Sequence, residues 1–377
     1  MQTFDVIVLG VGGVGSAAFY HLANSGASVL GIEQFGLAHD RGSSHGQTRL
    51  IRQTYFEHPD YVPLVQRAFA SWTALEQLSG AELYRQVGLI QIGPPTGEVI
   101  RGVRASAAEH HLPIENLSAR ESRQRFPGLH VADDWEAVYE TRAGYLFVER
   151  CVEAHIAAAK ACGATLHLNE SVRNWNVSGG TVRVTTDRGE YEAKRLVIAA
   201  GAWSVPLLAE LGIRLEVRRK PLYWYQTRTD DYRADRGFPG FLFDLAEGCF
   251  YGFPQIDEQG LKVAEHSGGR VVSDPSNIDR ELDAADEARV SGFVQRYLPS
   301  VSSTRTQHAV CMYTMSPDGH FILDRHPQHP EVAMVAGLSG HGFKFAGILG
   351  EELARLALDG TVDPRARFLA LKRESLR

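Results

Sequence analysis

The residues best suited to chemistry lie near the start of the chain. Gly10-Val11-Gly12-Gly13-Val14-Gly15 is a G-x-G-x-x-G run between an apolar β-run, Phe4 to Leu9, and a helical segment, Gly13 to Asn24. In such a loop Gly10 permits the tight turn, Gly12 lets backbone approach a pyrophosphate, and Gly15 lets helix and strand pack closely. The helix N-terminus offers free amides and the positive end of a dipole to the phosphates. A second strand, Ser28 to Glu33, ends on a carboxylate 18 residues after Gly15. There it can accept hydrogen bonds from ribose hydroxyls, and it disfavours a 2′-phosphate, hence NADP. The chemistry is dinucleotide binding by Gly10, Gly12, Gly13, Gly15 and Glu33, and the motif alone leaves FAD and NAD open.

Positioning that loop requires a βαβ opening and a parallel sheet. Further along, His58 to Leu78 and Val148 to Ala161 read as helices, and Ser118 to Glu121 as a capping box. Val172 to Val177, Thr181 to Thr186 and Glu190 to Ala193 form a meander with turns at Ser178-Gly179-Gly180 and Asp187-Arg188-Gly189. An apolar strand, Leu196 to Ala200, follows and stops at Gly201. A meander returning to the nucleotide sheet in this way favours FAD. Arg218 to His266 is mostly β and rich in aromatics; Asp283 to Leu298 is helical; His308 to Thr314, Phe321 to Asp324 and Val332 to Ala336 are strands; Phe345 to Leu358 is the last helix. The expected fold is α/β: a doubly wound, Rossmann-like FAD-binding domain with a β-meander, plus an α+β substrate domain on a largely antiparallel sheet. No linker is visible, so the domains interleave. Residues 1–82, 146–217 and 322–377 are assigned to the first and 83–145 and 218–321 to the second.

Composition removes other classes. The 377 residues are 44% hydrophobic and 22% charged, ordinary globular values that exclude disorder. The net charge of −6 and the lack of a basic run argue against a nucleic-acid surface. Four scattered cysteines without a C-x-x-C pair exclude a disulfide scaffold and disfavour structural zinc. Val6 to Ile32 has no charged residue, but its glycines and strand–turn–helix pattern argue against a membrane span, and no basic residue precedes it as a signal peptide requires. A cytoplasmic protein is expected, with no metal.

Four segments carry a family resemblance. They are Gly42-Ser43-Ser44-His45-Gly46-Gln47-Thr48-Arg49-Leu50-Ile51-Arg52, Tyr251-Gly252-Phe253-Pro254, Ala309-Val310-Cys311-Met312-Tyr313-Thr314 and Gly340-His341-Gly342-Phe343-Lys344-Phe345. In that order and spacing the chain resembles the family of monomeric sarcosine oxidase, N-methyltryptophan oxidase and pipecolate oxidase along essentially its whole length.

The resemblance implies FAD, tethered covalently through Cys311, and a monomer acting on a small amino acid and O2. It implies that Arg52 and Lys344 clamp the substrate carboxylate, with Tyr251 and Gly340 beside them. Lys262 would activate O2, Arg49 would lie against the flavin with His45 as its neighbour, and His266 and Tyr313 would complete the catalytic group. Ser43, Val172, Gly201, Trp203, Gly342 and Phe343 would also touch the cofactor, as would Gly340 and Lys344. Alternation places Lys262, Ala264 and His266 on one strand face. Some relatives carry histidine and aspartate where this chain, like the pipecolate-type members, has Ser44 and Gln47, so the resemblance carries over the charge of Arg49 but not the hydrogen bonding around it. The implied reaction oxidises a secondary amine to an imine, which water hydrolyses, with O2 reduced to H2O2. Oxidation of a cyclic imino acid or of a bulkier N-methyl amino acid, a flavin dehydrogenase, an NAD dehydrogenase and a non-catalytic flavin-binding subunit are the other readings.

Overall fold

The computed structural model describes residues 2–376. Its first sheet has a parallel centre because each strand is apolar on both faces and each crossover carries a helix. Gln2–Leu9 lies between Val29–Ile32 and Glu190–Ile198, and Val332–Ala336 extends the sheet beyond the latter. Thr165–His167 adds to the other side, next to Val29–Ile32. The meander strand Thr181–Thr186 pairs antiparallel onto the first half of Glu190–Ile198, and Val172–Ser178 pairs antiparallel onto Thr181–Thr186. The two segments expected at Glu190 to Ala193 and Leu196 to Ala200 are therefore one strand. Lys194 and Arg195 interrupt the apolar run, but backbone pairing with the first strand continues from Tyr191 to Ile198. The helices Gly13–Asn24, Tyr61–Ser79, Val148–Ala161 and Ala346–Leu358 contribute to one core, which includes Phe19, Trp72, Ile156 and Leu353.

A nine-stranded, mostly antiparallel sheet forms the other half. Its spine is Glu216–Thr227, paired with Val301–Met315 on one side and Leu261–Glu265 on the other. Leu261 and Val263 face an aromatic core with Phe241, Phe250 and Phe293, while Ala264 packs in a cluster with Trp224 and Cys311. A small third sheet, Thr48–Ile51, Gly144–Phe147 and Tyr84–Gln86, links the two halves, and Gly144–Phe147 runs across residue 146.

The helix Glu98–Glu109 has no counterpart in the sequence reading, because Gly102 breaks its apolar stripe. The glycine is steric: a Cβ there would come 2.7 Å from the carbonyl oxygen of Phe56. The helix thus packs against the 54–57 segment, and Ser106 Oγ accepts from the Tyr55 amide at 3.0 Å. The capping box forms as expected, with reciprocal bonds between Ser118 and Glu121. Among the described residues no helix is long and apolar enough to cross a membrane.

Candidate active site

A cavity of about 770 Å³ runs along the carboxyl ends of the parallel strands. Gly10, Gly12, Gly13, Glu33, Ser43, Arg49, Val172, Gly201, Trp203, Gly340, Gly342 and Phe343 all line it. Gly15 does not; a Cβ there would lie 1.9 Å from the Gly10 carbonyl oxygen, so its part is the close helix–strand approach. Gly10 has φ +81°, a turn that side chains resist. At Gly12 nothing but Ser44 Oγ, at 3.8 Å, lies within contact of an added Cβ, which leaves room for a phosphate against the backbone. Gly13 departs from expectation: its amide is not free but donates to Ser44 Oγ at 3.1 Å. Glu33 is oriented by the amides of Val11 (3.0 Å) and Phe35 (3.1 Å). These residues fit a dinucleotide.

A second chamber of about 60 Å³ adjoins the first, and Arg49, Tyr313, Gly340 and Phe343 line both. Arg52, Glu57, Tyr251, His266, His341 and Lys344, with the apolar Leu50, Phe56 and Leu242, complete its wall. Arg52 is buried and donates from Nη2 to both carboxylate oxygens of Glu57, at 2.7 Å each. Its guanidinium carbon lies 4.4 Å from the Tyr55 ring centre and 4.6 Å from that of Phe56. Burial would raise the Glu57 pKa, but Arg52, helped by His341 and Lys344, holds it at about 2. Lys344 lies in the 3-10 turn Phe343–Phe345 just before the last helix. Burial, and then Arg52, push its pKa down to about 7. His266 Nδ1 meets Tyr313 Oη at 3.3 Å, and burial with Lys220 nearby holds the imidazole down to about 4, hence neutral.

Besides Gly15, three expected residues line neither chamber. Cys311 is buried, with Sγ 3.2 Å from Arg49 Nη2 and 3.5 Å from the Ser43 carbonyl oxygen. Lys262 is buried behind Arg49; its ammonium donates to the carbonyls of Gly46 and Thr48, the latter at 2.9 Å. Burial and Arg49 push its pKa well below the ordinary lysine range. His45 is buried with no partner for Nε2, and burial, then Arg49, hold it at about 3. Ser44 and Gln47 leave Arg49 alone: Ser44 caps Gly13, while Gln47 Oε1 accepts from Trp224 Nε1 at 3.2 Å. Arg49 instead donates to the carbonyls of Thr48 (2.8 Å) and Ser43 (2.9 Å).

Sequence reasoning missed Glu57, Tyr55 and Lys220. Glu57 stands five residues after Arg52, and that separation was the available signal. Lys220 is buried in the register position opposite Cys311 and donates to the carbonyls of His266 (2.7 Å), Ser267 (2.6 Å) and Gly268 (3.0 Å). It therefore fixes the turn that begins at His266, which falls just past the strand Leu261–Glu265 rather than on it.

Residues 5–356 match the family model described as FAD dependent oxidoreductase. The chain is 42% identical over 365 residues to monomeric sarcosine oxidase of Streptomyces avermitilis, covering 95% of this chain and 94% of the relative. It is 37% identical over 360 residues to N-methyl-L-tryptophan oxidase of Yersinia pestis, covering 94% and 95%. Among solved structures it is similar to NikD, an unusual amino acid oxidase essential for nikkomycin biosynthesis, with TM-score 0.87, 25% identity and 98% coverage of each chain. With its glycine loop, its dinucleotide-shaped cavity and its adjoining cationic chamber, the chain belongs to the FAD dependent oxidoreductase family.

Proposed function

We propose that the protein is an FAD-dependent oxidase of small N-methyl amino acids, with sarcosine as the best-fitting substrate. Sarcosine, O2 and water would give glycine, formaldehyde and H2O2. Arg52 and Lys344 carry this assignment: two buried cations wall a chamber of only about 60 Å³, the size class of a small substrate. The substrate carboxylate takes the place of Glu57 on Arg52, and a planar guanidinium with a point ammonium suits one carboxylate. A carboxylate held there directs the amine toward the wall shared with the larger cavity, at Arg49, Tyr313 and Gly340. The surrounding cations favour the neutral amine, the form with a lone pair to donate. His266 stays neutral and adds no further charge against the amine.

FAD, when bound, supplies the two-electron acceptor that the side chains lack. Gly10, Gly12 and the first helix would hold its pyrophosphate, Glu33 its ribose, and Cys311 would tether it through a thioether. Arg49 and Lys262 keep positive charge beside the site, which favours an anionic reduced cofactor and the reduction of O2. The names of the relatives support this reading, and the word monomeric in the names of the sarcosine oxidases supports a monomer.

H2O2 release from a panel of sarcosine, N-methyltryptophan, pipecolate and proline tests it. Sarcosine should have the highest kcat/KM. A tenfold preference for a bulky or cyclic substrate would overturn the choice of substrate. Oxidation of sarcosine by an artificial acceptor but not by O2 would make the enzyme a dehydrogenase.

A further inference from the structure

We propose that Tyr55 is a positioning residue for carboxylate capture. Together with His341 it forms a buried relay, from the Gly319 carbonyl through His341 and Tyr55 to Lys344, which aims the Lys344 ammonium into the substrate chamber. The proposal rests on the reading of Arg52 and Lys344 as the carboxylate clamp.

The proton order of the relay follows from its far end. The Gly319 carbonyl oxygen lies 3.0 Å from His341 Nε2 and can only accept, so Nε2 carries the proton. The ring is buried and neutral, held at about 3 mainly by that burial. Nδ1 is therefore a lone pair, and the Tyr55 hydroxyl, 2.6 Å away, must donate to it. The backbone carbonyl of His341 lies farther from that hydroxyl, at 3.4 Å. Tyr55 is fully buried, and burial raises its pKa well above the ordinary phenol range, so it keeps its proton. With that proton committed, the phenol oxygen can only accept at its remaining positions, and Lys344 Nζ stands 3.4 Å away as donor.

A second Lys344 N–H goes to the His341 carbonyl at 2.8 Å. An ammonium has three donors, so one remains for the chamber that Lys344 lines. Tyr55 also stacks against the Arg52 guanidinium, so a single side chain joins both cations while lining neither chamber itself. The relay is anchored at the protein edge, where Arg373 donates to Asp318, beside Gly319, at 2.6 and 3.1 Å.

The test uses holoenzyme and propionate, a carboxylate with no amine, titrated calorimetrically from pH 6 to 9. Tyr55→Phe keeps the ring on Arg52 but removes the acceptor for Lys344. Its Kd should rise about tenfold at neutral pH, the scale of one hydrogen bond to a charged group. The pH above which binding weakens should also shift to lower values, because the ammonium has lost a stabilising acceptor. A general loosening of the fold would not move that midpoint. Tyr61→Phe is the control: its ring packs on Tyr55 at 4.9 Å, but its hydroxyl serves Phe321 and His320, and it should change neither quantity. In a Lys344→Met background, Tyr55→Phe should add less than twofold. If Tyr55→Phe does not fold, His341→Leu, which removes the acceptor that commits the Tyr55 proton, should give an acid shift in the same direction, and an unmoved midpoint would overturn the relay.

A wild-type Kd and midpoint in the Tyr55→Phe enzyme, alongside weakened binding in Lys344→Met, would overturn the relay and leave the clamp standing. A full tenfold effect of Tyr55→Phe in the Lys344→Met background would also overturn it. Unchanged binding in Lys344→Met would bring down the clamp and the relay together.

Discussion

Two pairs of cations, buried except for the half-buried Arg49, flank the wall between the chambers, and they are neutralised in different ways. Arg52 pairs directly with Glu57, a full carboxylate on a half-buried segment whose charge also acts on Lys344, although each of these cations also donates to one main-chain carbonyl, of Thr54 and His341 respectively. Arg49 and Lys262 are held mainly by main-chain carbonyls of the 43–48 loop. A carboxylate partner can be exchanged for the carboxylate of a ligand. A carbonyl cannot leave without unfolding the loop. The same residue types thus serve capture on one side of the wall and permanent field on the other.

Lys344→Met should break the capture side hardest. We expect kcat/KM for sarcosine to fall by about a hundredfold or more, the scale for truncating one partner of a desolvated charge contact, with reduction by substrate slowed more than reoxidation, and the melting temperature to fall as the His341 carbonyl loses its donor. Stopped-flow reduction and thermal melts on the same sample would check both halves. Lys262→Met should reverse the order of the half-reactions. It leaves the Gly46 and Thr48 carbonyls short of a donor, costing about 1–3 kcal/mol of stability, and it should slow reoxidation by O2 more than reduction by substrate. Equal slowing of both half-reactions would remove the distinction between the pairs.

The next effect is one of pH. Lys344 titrates at about 7, so propionate should bind well below that value and lose affinity, up to about tenfold per unit, as the pH rises through it. The folding contribution has the opposite sign. The lysine pKa is depressed in the fold, so between about 7 and its ordinary value the unfolded chain binds more protons, and this group makes the protein more stable as pH rises. A flat affinity profile would show that Arg52 alone carries the capture. The smallest effect is expected from Glu57→Gln. Without a competing charge on Arg52, propionate should bind a few-fold more tightly at pH 6 in a calorimetric titration.

Local patterns in the sequence located the cofactor half well. The glycine loop, the helix Gly13–Asn24 and the strand Val332–Ala336 were legible because chain neighbours supply the pattern that makes them. The helix Glu98–Glu109 was hidden because its glycine answers to Phe56, far away in sequence. The capture site was half legible. Arg52 and Lys344 stood out through motifs, but Tyr55 carries no pattern of its own. Its partner His341 is 286 positions away, and only the fold brings the two hydroxyl and imidazole groups together. The positions of Lys262 and His45 behind the chamber walls were likewise set by packing that no spacing rule encodes.

Gly340 has one more consequence. Its φ is +81°, and an added Cβ would fall 2.3 Å from the Tyr313 ring, so the absence of a side chain lets that ring lie between the two chambers. Both residues belong to both cavities, and whatever fills the larger one becomes a boundary of the smaller. The two ligands are then thermodynamically linked. Carboxylate affinity measured with and without cofactor should differ, and by the same factor the carboxylate should change the retention of a non-covalently held cofactor. The polypeptide alone thus closes only part of the boundary of its substrate site.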